Sequence, residues 1–380
     1  MERHTVLFFT NGDSRDANLW SNVPYCFARA LEEANVHVVR VDYSMPRWFV
    51  RCYDLVFRRV MDVLTFRKLR FPYLRCTRWF KWYAERKIKT AINENPQTDL
   101  CLFMGYGFYN KWDKTPSLLF SDWTTEMDIR KSREPNFLNR RIIKQEGEAI
   151  CRADYVVSLF PVCCEKMKQK YPQANIHYLG GNVINNLYEG DINREELLKK
   201  NASSRQLLFI GRRTTYLRAA KVLIEAFSQL QQESQYGDLQ LDIVGIGAES
   251  FGTLPQGVTC HGFLNKSEER DCKQYYKLLM DAKILINANP GWGAFSSTVE
   301  AMYFYTPVIV SPYKDFVAEF GNDISFGIYN QNFTPTGIAN DIKRILESSA
   351  YPKMCEAAHE VVKDFTWGNY VSKILNLVKS

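Results

Sequence analysis

The chain has 380 residues, 46% of them apolar and 24% charged. That is room for two domains with cores of their own, and the balance excludes bulk disorder, collagen and a disulfide miniprotein. Lys and Arg outnumber Asp and Glu by 7, and the stretch from Arg47 to Lys89 alone holds 13 basic and 3 acidic residues, so one segment carries all of the positive excess and asks for an anionic partner.

No run of about 18 apolar residues occurs, so no spanning helix is expected. Met1-Glu2-Arg3-His4 runs straight into Thr5-Val6-Leu7-Phe8-Phe9, an apolar stretch too short for a signal peptide and without a small-residue cleavage site. The ten cysteines include no CxxC spacing, which predicts reduced thiols in a cytoplasmic protein.

In chain order, Thr5–Thr10 reads as a strand ended by the turn Asn11-Gly12-Asp13. Trp20–Ala34 has helical spacing, and Val36–Asp42 is a second strand. After the basic segment come strands at Leu100–Met104, Ser117–Phe120, Tyr155–Leu159 and Ile176–Leu179. Short buried runs separated by helices predict a parallel sheet covered on both faces. The polar stretch Glu189–Ser204 reads as a linker, so residues 1–188 form a first domain. The alternation then restarts. It runs through strand Leu207–Ile210, helix Leu217–Leu230, strands Leu239–Val244 and Val258–His261, helix Glu268–Met280, strand Ile284–Asn287, helix Thr298–Phe304 and strand Val308–Ser311. A second doubly wound α/β domain over 205–364, with a terminal helix over 365–380, is the expectation, and ligands of such folds bind outside the carboxyl ends of the strands.

Two loops carry chemistry. Phe209-Ile210-Gly211-Arg212-Arg213 ends a strand, and Arg218 follows a turn later. Gly211 permits a sharp turn. Arg212 and Arg218 flank a helix start whose amides favour an anion, and guanidinium forks grip phosphate. An exposed basic loop is the plain alternative. The second loop is Gly291-Trp292-Gly293-Ala294-Phe295-Ser296-Ser297-Thr298, with Glu300 a turn into the helix. Gly293, Ser296, Ser297 and Thr298 could offer N–H and hydroxyl donors to a diphosphate, and Glu300 could accept from ribose hydroxyls. Ser297-Thr298-Val299-Glu300 equally fits a capping box.

In order, these parts resemble the donor domain of GT-B glycosyltransferases, most closely family 4. The resemblance rests on Gly211-Arg212, Arg218, Leu223-Ile224-Glu225-Ala226, Val244-Gly245-Ile246-Gly247, His261-Gly262-Phe263, Glu300-Ala301-Met302, Thr306-Pro307-Val308-Ile309, Glu319 and Phe365-Thr366-Trp367. It covers about 160 residues and is specific as a set. It implies two Rossmann-like domains facing a cleft, a terminal helix crossing back to the first domain, and a nucleotide-diphosphate sugar as donor. Glu300 would be the ribose ligand, and Arg212 with Arg218 would stabilise the leaving diphosphate without metal. The chain departs from the family at Trp292, which stands where the first of two glutamates is usual, and at Arg218, where lysine is usual.

The first domain matches the family less well. Leu119-Phe120-Ser121-Asp122-Trp123 has Ser121 where the family often has histidine. Asp122 would serve as a base toward an acceptor hydroxyl, with a helix cap or turn as its alternative. Asp13 is a second base or acceptor candidate, with a turn as its alternative. Between Arg47 and Lys89, Arg47-Trp48-Phe49, Arg58-Arg59, Phe66-Arg67-Lys68 and Arg78-Trp79-Phe80-Lys81-Trp82-Tyr83 interleave cations and aromatics, as interfacial helices do. A solvated helical face and single-strand nucleic-acid stacking are the alternatives; no nucleic-acid motif accompanies the segment.

No Asp-x-Asp, P-loop or paired histidine spacing occurs, so neither a metal nor a bound cofactor is expected. The expectation is a transferase, more readily retaining than inverting, peripheral on the cytoplasmic face of a membrane and acting on a lipid-linked or membrane-proximal glycan. Nucleic acid is not an expected partner. An inactive membrane-binding module of the same fold and a two-domain NAD-dependent enzyme are the other classes. For the latter, Gly245-Ile246-Gly247 lacks a third glycine, Ser250 standing in its place.

Overall fold

The computed structural model describes residues 4–65, 74–131, 134–292 and 295–379. The chain divides into two compact units. The first runs to Gly180 and takes back the chain from Tyr370 onward; the second is Gly181–Asn369.

The first unit holds six parallel strands: β1 (Thr5–Thr10), β2 (His37–Asp42), β3 (Leu100–Met104), β4 (Ser117–Ser121), β5 (Tyr155–Ser158) and β6 (Ile176–Tyr178), in spatial order β2-β1-β3-β4-β5-β6. Every residue of β3 and β4 is buried, which is why these strands read as unbroken apolar runs rather than alternating ones. The order reverses at β1, so the switch point lies between the carboxyl ends of β1 and β3. Trp20–Ala34 is not one helix. The helix is Val23–Glu33, and before it Trp20, Ser21 and Asn22 take φ of 45°, 52° and 71°. Pro24, in the first turn, has no N–H to donate and sets the start.

The second unit holds β7 (Gln206–Ile210), β8 (Gln240–Val244), β9 (Val258–Gly262), β10 (Ala282–Asn287), β11 (Val308–Val310) and β12 (Gly327–Tyr329), all parallel, in order β12-β11-β10-β7-β8-β9. Here the order reverses at β7, and the switch point lies between β7 and β10. The three-residue edge strand β12 has no counterpart in the sequence reading; it is too short to show a period. Within residues 189–204 a helix, Arg194–Ser203, folds onto the second unit. Asn201 donates to the Tyr305 carbonyl at 2.9 Å, and the buried Lys283 ammonium reaches the carbonyls of Asn201 and Ala202 at 3.0 Å each.

The last helix, Trp367–Lys379, begins in the second unit and ends in the first. Trp367 donates its indole N–H to Asn185 at 2.9 Å within the second unit. Tyr370 packs on Phe120, and Lys373 donates to the Leu179 carbonyl at 3.0 Å, both within the first.

Candidate functional site

In the second unit, Gly211 follows β7 directly and the helix Arg213–Leu230 follows at once, so Arg212 occupies its N-cap. Its carbonyl accepts from the N–H groups of Thr215 and Tyr216 at 3.1 and 2.8 Å. The turn is tight enough to require glycine: a Cβ on Gly211 would stand 2.8 Å from Tyr216 Cβ. The neighbouring loop after β8 presses against it. Gly245 has φ of 91°, and a Cβ there would lie 2.5 Å from the Gly211 carbonyl oxygen. From the other side, Asn287 at the end of β10 donates to the Ile210 carbonyl at 3.1 Å. Three strand ends are thereby held together at the switch point.

Arg212 and Arg218 are both exposed. The Arg218 guanidinium lies 5.8 Å from the ring centre of Phe333, which follows β12 at the same sheet edge. Two arginines, Arg212 and Arg213, sit where the helix dipole repels cations.

The helix after β10 is Phe295–Tyr303. Ser296 is exposed at its start, while Ser297 and Thr298 are buried. Gly293 lies outside the described residues. Trp292 packs against Tyr313 with ring centres 4.9 Å apart and the planes tilted by 49°. The capping-box reading of Glu300 is overturned. The helix starts two residues before Ser297, so Ser297 sits inside it and not at the cap. The Glu300 oxygens are taken instead by the hydroxyls of Tyr275, at 2.7 Å, and Tyr276, at 2.9 Å. Lys266 Nζ lies 3.7 Å away, and the Glu300 side chain is 4% exposed. Tyr276 in turn accepts from the Leu187 N–H at 2.7 Å. Burial, reinforced by the Glu300 charge, pushes both phenols well above the ordinary tyrosine range. Each carboxylate oxygen thus accepts from one phenol and keeps a further lone pair. The tyrosines come from Glu269–Asp281, a helix legible from its period, but nothing in the sequence paired them with Glu300.

In the first unit, Asp122 follows β4 and accepts from the Trp123 N–H at 2.8 Å and the Ser121 hydroxyl at 3.3 Å. It is not a helix cap. Thr124 caps Thr125–Arg130, accepting from the Met127 N–H at 3.2 Å. Burial raises the Asp122 carboxyl, opposed by the Trp123 hydrogen bond and the Lys131 charge, and a raised carboxylate is a better proton acceptor near neutrality. Asp13 takes its turn alternative: it accepts from the Arg15 N–H at 2.9 Å and is exposed beside the Arg15 guanidinium.

Glu146 escaped sequence reading. It is buried and accepts twice from the Thr125 N–H, at 3.0 and 2.8 Å, and from the Thr125 hydroxyl at 3.1 Å, fixing the turn that begins at Asp122. Burial pushes its carboxyl from 4.5 up to about 7. Between those values the folded chain keeps a proton that the unfolded chain has released. Stability from this group is therefore greatest below pH 4.5 and is lost as pH rises toward 7, by roughly 3 kcal/mol. Unfolding measured at pH 5 and pH 8 should show that slope in wild type and a flatter one in Glu146→Gln; equal slopes would remove Glu146 as the titrating group.

The basic segment forms helices Arg47–Tyr53, Asp54–Arg59 (π-helical) and Val60–Leu64, then Arg78–Glu94. Phe66-Arg67-Lys68 lies outside the described residues. Among the described residues, nine of the twelve exposed large apolar side chains fall between Trp48 and Trp82. Trp48, Val63, Leu64, Trp79 and Trp82 are each more than half exposed. Phe57 meets Trp79 edge to face at 6.5 Å, and the Arg86 guanidinium lies 5.9 Å from the Trp82 ring centre. No described helix is long and apolar enough to cross a membrane, and no three described His, Cys, Asp or Glu side chains converge as a metal site.

Two doubly wound parallel units, the second with an arginine turn at its switch point, define the architecture of GT-B glycosyltransferases. Residues 204–348 match the family profile described as Glycosyl transferases group 1, which supports glycosyl transfer as the general activity. The fold is similar to that of a glycosyltransferase from Rickettsia africae, with TM-score 0.64 and 15% identity over 100% of this chain and 98% of that one. It is also similar to the sucrose-phosphate synthase of Thermosynechococcus elongatus, with TM-score 0.63 and 15% identity over 99% and 98%. TarM of S. aureus, in a mutant form solved with fondaparinux, alpha-GlcNAc-glycerol and UDP, matches at TM-score 0.53 and 16% identity over 74% of this chain and 55% of that one. No curated protein matches in sequence.

Proposed function

We propose that the chain transfers a sugar from a nucleotide-diphosphate donor to a lipid-linked or membrane-proximal glycan at the cytoplasmic face of a membrane. The observation that carries the donor half is the arginine-bearing turn at the β7/β10 switch point, inside the matched segment. Arg212, Arg218 and the start of the helix at Phe295, with Ser296, would hold the diphosphate and neutralise the charge that develops as the anomeric bond breaks, with no metal taking part. Ser297, Thr298 and Glu300 would support that helix from its buried side. Trp292 replaces a carboxylate by an indole, a surface suited to the apolar face of a sugar ring.

We read the transfer as retaining, as the resemblance implies. Inversion is favoured by one observation, the raised Asp122 carboxyl, which suits a general base. The anomeric configuration of the product, read by NMR, decides between them.

Calorimetry with a panel of nucleoside diphosphates and NAD, in the presence of EDTA, tests the donor half. One nucleoside diphosphate should bind saturably and NAD should not. Binding of NAD alone would favour a dehydrogenase, and binding of none would leave a module of this fold without its activity.

For the membrane half, the apolar crest and its cations predict co-sedimentation with anionic but not neutral vesicles. Each basic residue near an anionic surface contributes about 1 kcal/mol, and screening to ~3 Å at 1 M salt should weaken binding. Replacing Trp79 and Trp82, 59% and 63% exposed, should reduce it further. Equal binding to neutral vesicles at high salt would argue against the electrostatic part.

A further inference from the structure

The outer strands of the two sheets are β2, β6, β9 and β12, and three of them are blunted as free edges usually are. β6 and β12 have three residues each, and the ladder joining β9 to β8 shifts register. β2 is the exception. It runs six residues, His37–Asp42, in unbroken register with β1, and each of the six is exposed or half-buried. His37 donates to the His4 carbonyl at 2.7 Å and Tyr43 to the Thr10 carbonyl at 3.0 Å, so the odd-numbered residues turn their backbone groups to β1. Those of Val38, Arg40 and Asp42 therefore point off the sheet. Lys87 donates to the Asp42 carbonyl at 3.1 Å, and among the described residues nothing takes the backbone N–H or C=O of Val38 or Arg40. A row of unpaired backbone groups on a regular edge is a template for another strand.

A groove of about 660 Å³ lies along this edge, between Val39 and Val41 on one side and Arg86, Lys87, Ala91 and Glu94 of the helix Arg78–Glu94 on the other. The helix runs against the strand. Lys87 meets Asp42 at the carboxyl end of β2, and the chain leaves the helix to start β3 at Leu100, beside Val6 near the amino end of β1. Arg86 thus flanks the carboxyl-terminal half of β2 and Glu94 the amino-terminal half. Neither forms an ion pair among the described residues.

We propose that the occupant of this edge is the β2 strand of a second copy of the chain, paired antiparallel about a twofold axis. Backbone groups meet across such a pair only where outward residues oppose outward residues, which leaves Arg40 opposite Arg40, Val38 or Asp42. Arg40 opposite Asp42 is the register that sets opposite charges together. Both keep their present partners, the Glu32 carboxylate for Arg40 and the Gly12 and Ser44 N–H groups for Asp42. The axis then passes through Val41, and main-chain hydrogen bonds join Arg40 of each copy to Asp42 of the other. The same axis exchanges the two ends of the groove, so it carries Arg86 of each copy toward Glu94 of the other. An acidic strand from another protein would suit Arg86 but be repelled by Glu94, which favours a second copy. The inference is independent of the donor and membrane readings.

The test uses the full chain without lipid. Sedimentation velocity from about 1 to 100 μM should show a monomer–dimer equilibrium that shifts to dimer as concentration rises. Val41→Lys sets two ammonium groups on the axis, at a half-buried edge position where lysine is a common guard. It should weaken the dimer at least tenfold while the circular dichroism stays that of wild type. Cross-linking reads the register and does not depend on that variant. It is run in a Cys52→Ser background, since Cys52 is exposed. The two Val41 Cα atoms would stand about 4.5 Å apart as a non-hydrogen-bonded pair, within disulfide reach. Val41→Cys should therefore cross-link under mild oxidation. Val39→Cys should not, because its twin would lie about 13 Å away along the strand. Replacing Trp79 and Trp82 by alanine should leave the dimer unchanged. A chain still monomeric at the highest concentration would overturn the proposal and leave the edge to an extended segment of another protein. A dimer that survives Val41→Lys and does not cross-link through Val41→Cys would place the interface elsewhere, as would a dimer lost with Trp79 and Trp82. Cross-linking through Val39→Cys in place of Val41→Cys would overturn the register.

Discussion

Replacing Glu300 with alanine should destabilise the chain by about 3–5 kcal/mol. The carboxylate is the acceptor for two buried phenols, and Lys266 stands 3.7 Å away. Removing it leaves two buried hydroxyl donors without partners, at about 1–3 kcal/mol each, and opens a cavity beside Tyr276. Tyr276 has little freedom to turn elsewhere, since its oxygen already accepts from Leu187. Glutamine keeps the volume and one acceptor but turns the other into a donor that faces a phenol, so Glu300→Gln should cost about 1–2 kcal/mol. A resemblance-based ribose ligand would behave otherwise, losing nucleotide affinity while the melting temperature barely moves. Denaturant unfolding and nucleotide calorimetry on the same variant separate the two roles. A variant as stable as wild type with weakened nucleotide binding would return Glu300 to the ribose.

Replacing Arg212 with alanine should lower turnover by roughly 10²–10³-fold while stability stays within about 0.5 kcal/mol of wild type. Arg212 is exposed at the N-cap of Arg213–Leu230, where the dipole opposes a cation by about 0.3–1 kcal/mol. Folding therefore gains little from its charge. A leaving diphosphate gains much, because the guanidinium would meet charge that grows only as the bond to the sugar breaks. With the nucleotide identified from the panel, steady-state turnover and unfolding of Arg212→Ala check both halves. Normal turnover with the true donor would place the site elsewhere.

These two residues show different limits of legibility. The place of Arg212 at the turn after β7 was legible because it follows from local chain geometry. An apolar run, a glycine and a helical period lie in sequence order, and the structure keeps that order within a few residues. Gly211 read as a turn residue and Gly245 as part of a strand end, and the close approach of the two loops explains why glycine is needed at Gly245. Glu300 was legible as a residue of interest but not as the centre of a buried pair of tyrosines.

The sequence by itself determined the two parallel sheets, most strand positions, the glycine turns at the second switch point and the concentration of cations and aromatics between Arg47 and Lys89. Burial on both faces writes itself into the chain as short apolar runs, and charge and aromatic content are local properties. Only the tertiary structure decided which polar groups meet. Glu300 finds phenols 24 and 25 residues away, Glu146 holds Thr125 across 21 residues, and a cavity forms between strand ends and the crest helices. Periodicity records that a position is buried; it carries no record of the partner that a buried charge must then have, because that partner is supplied by how the helices cross the sheet.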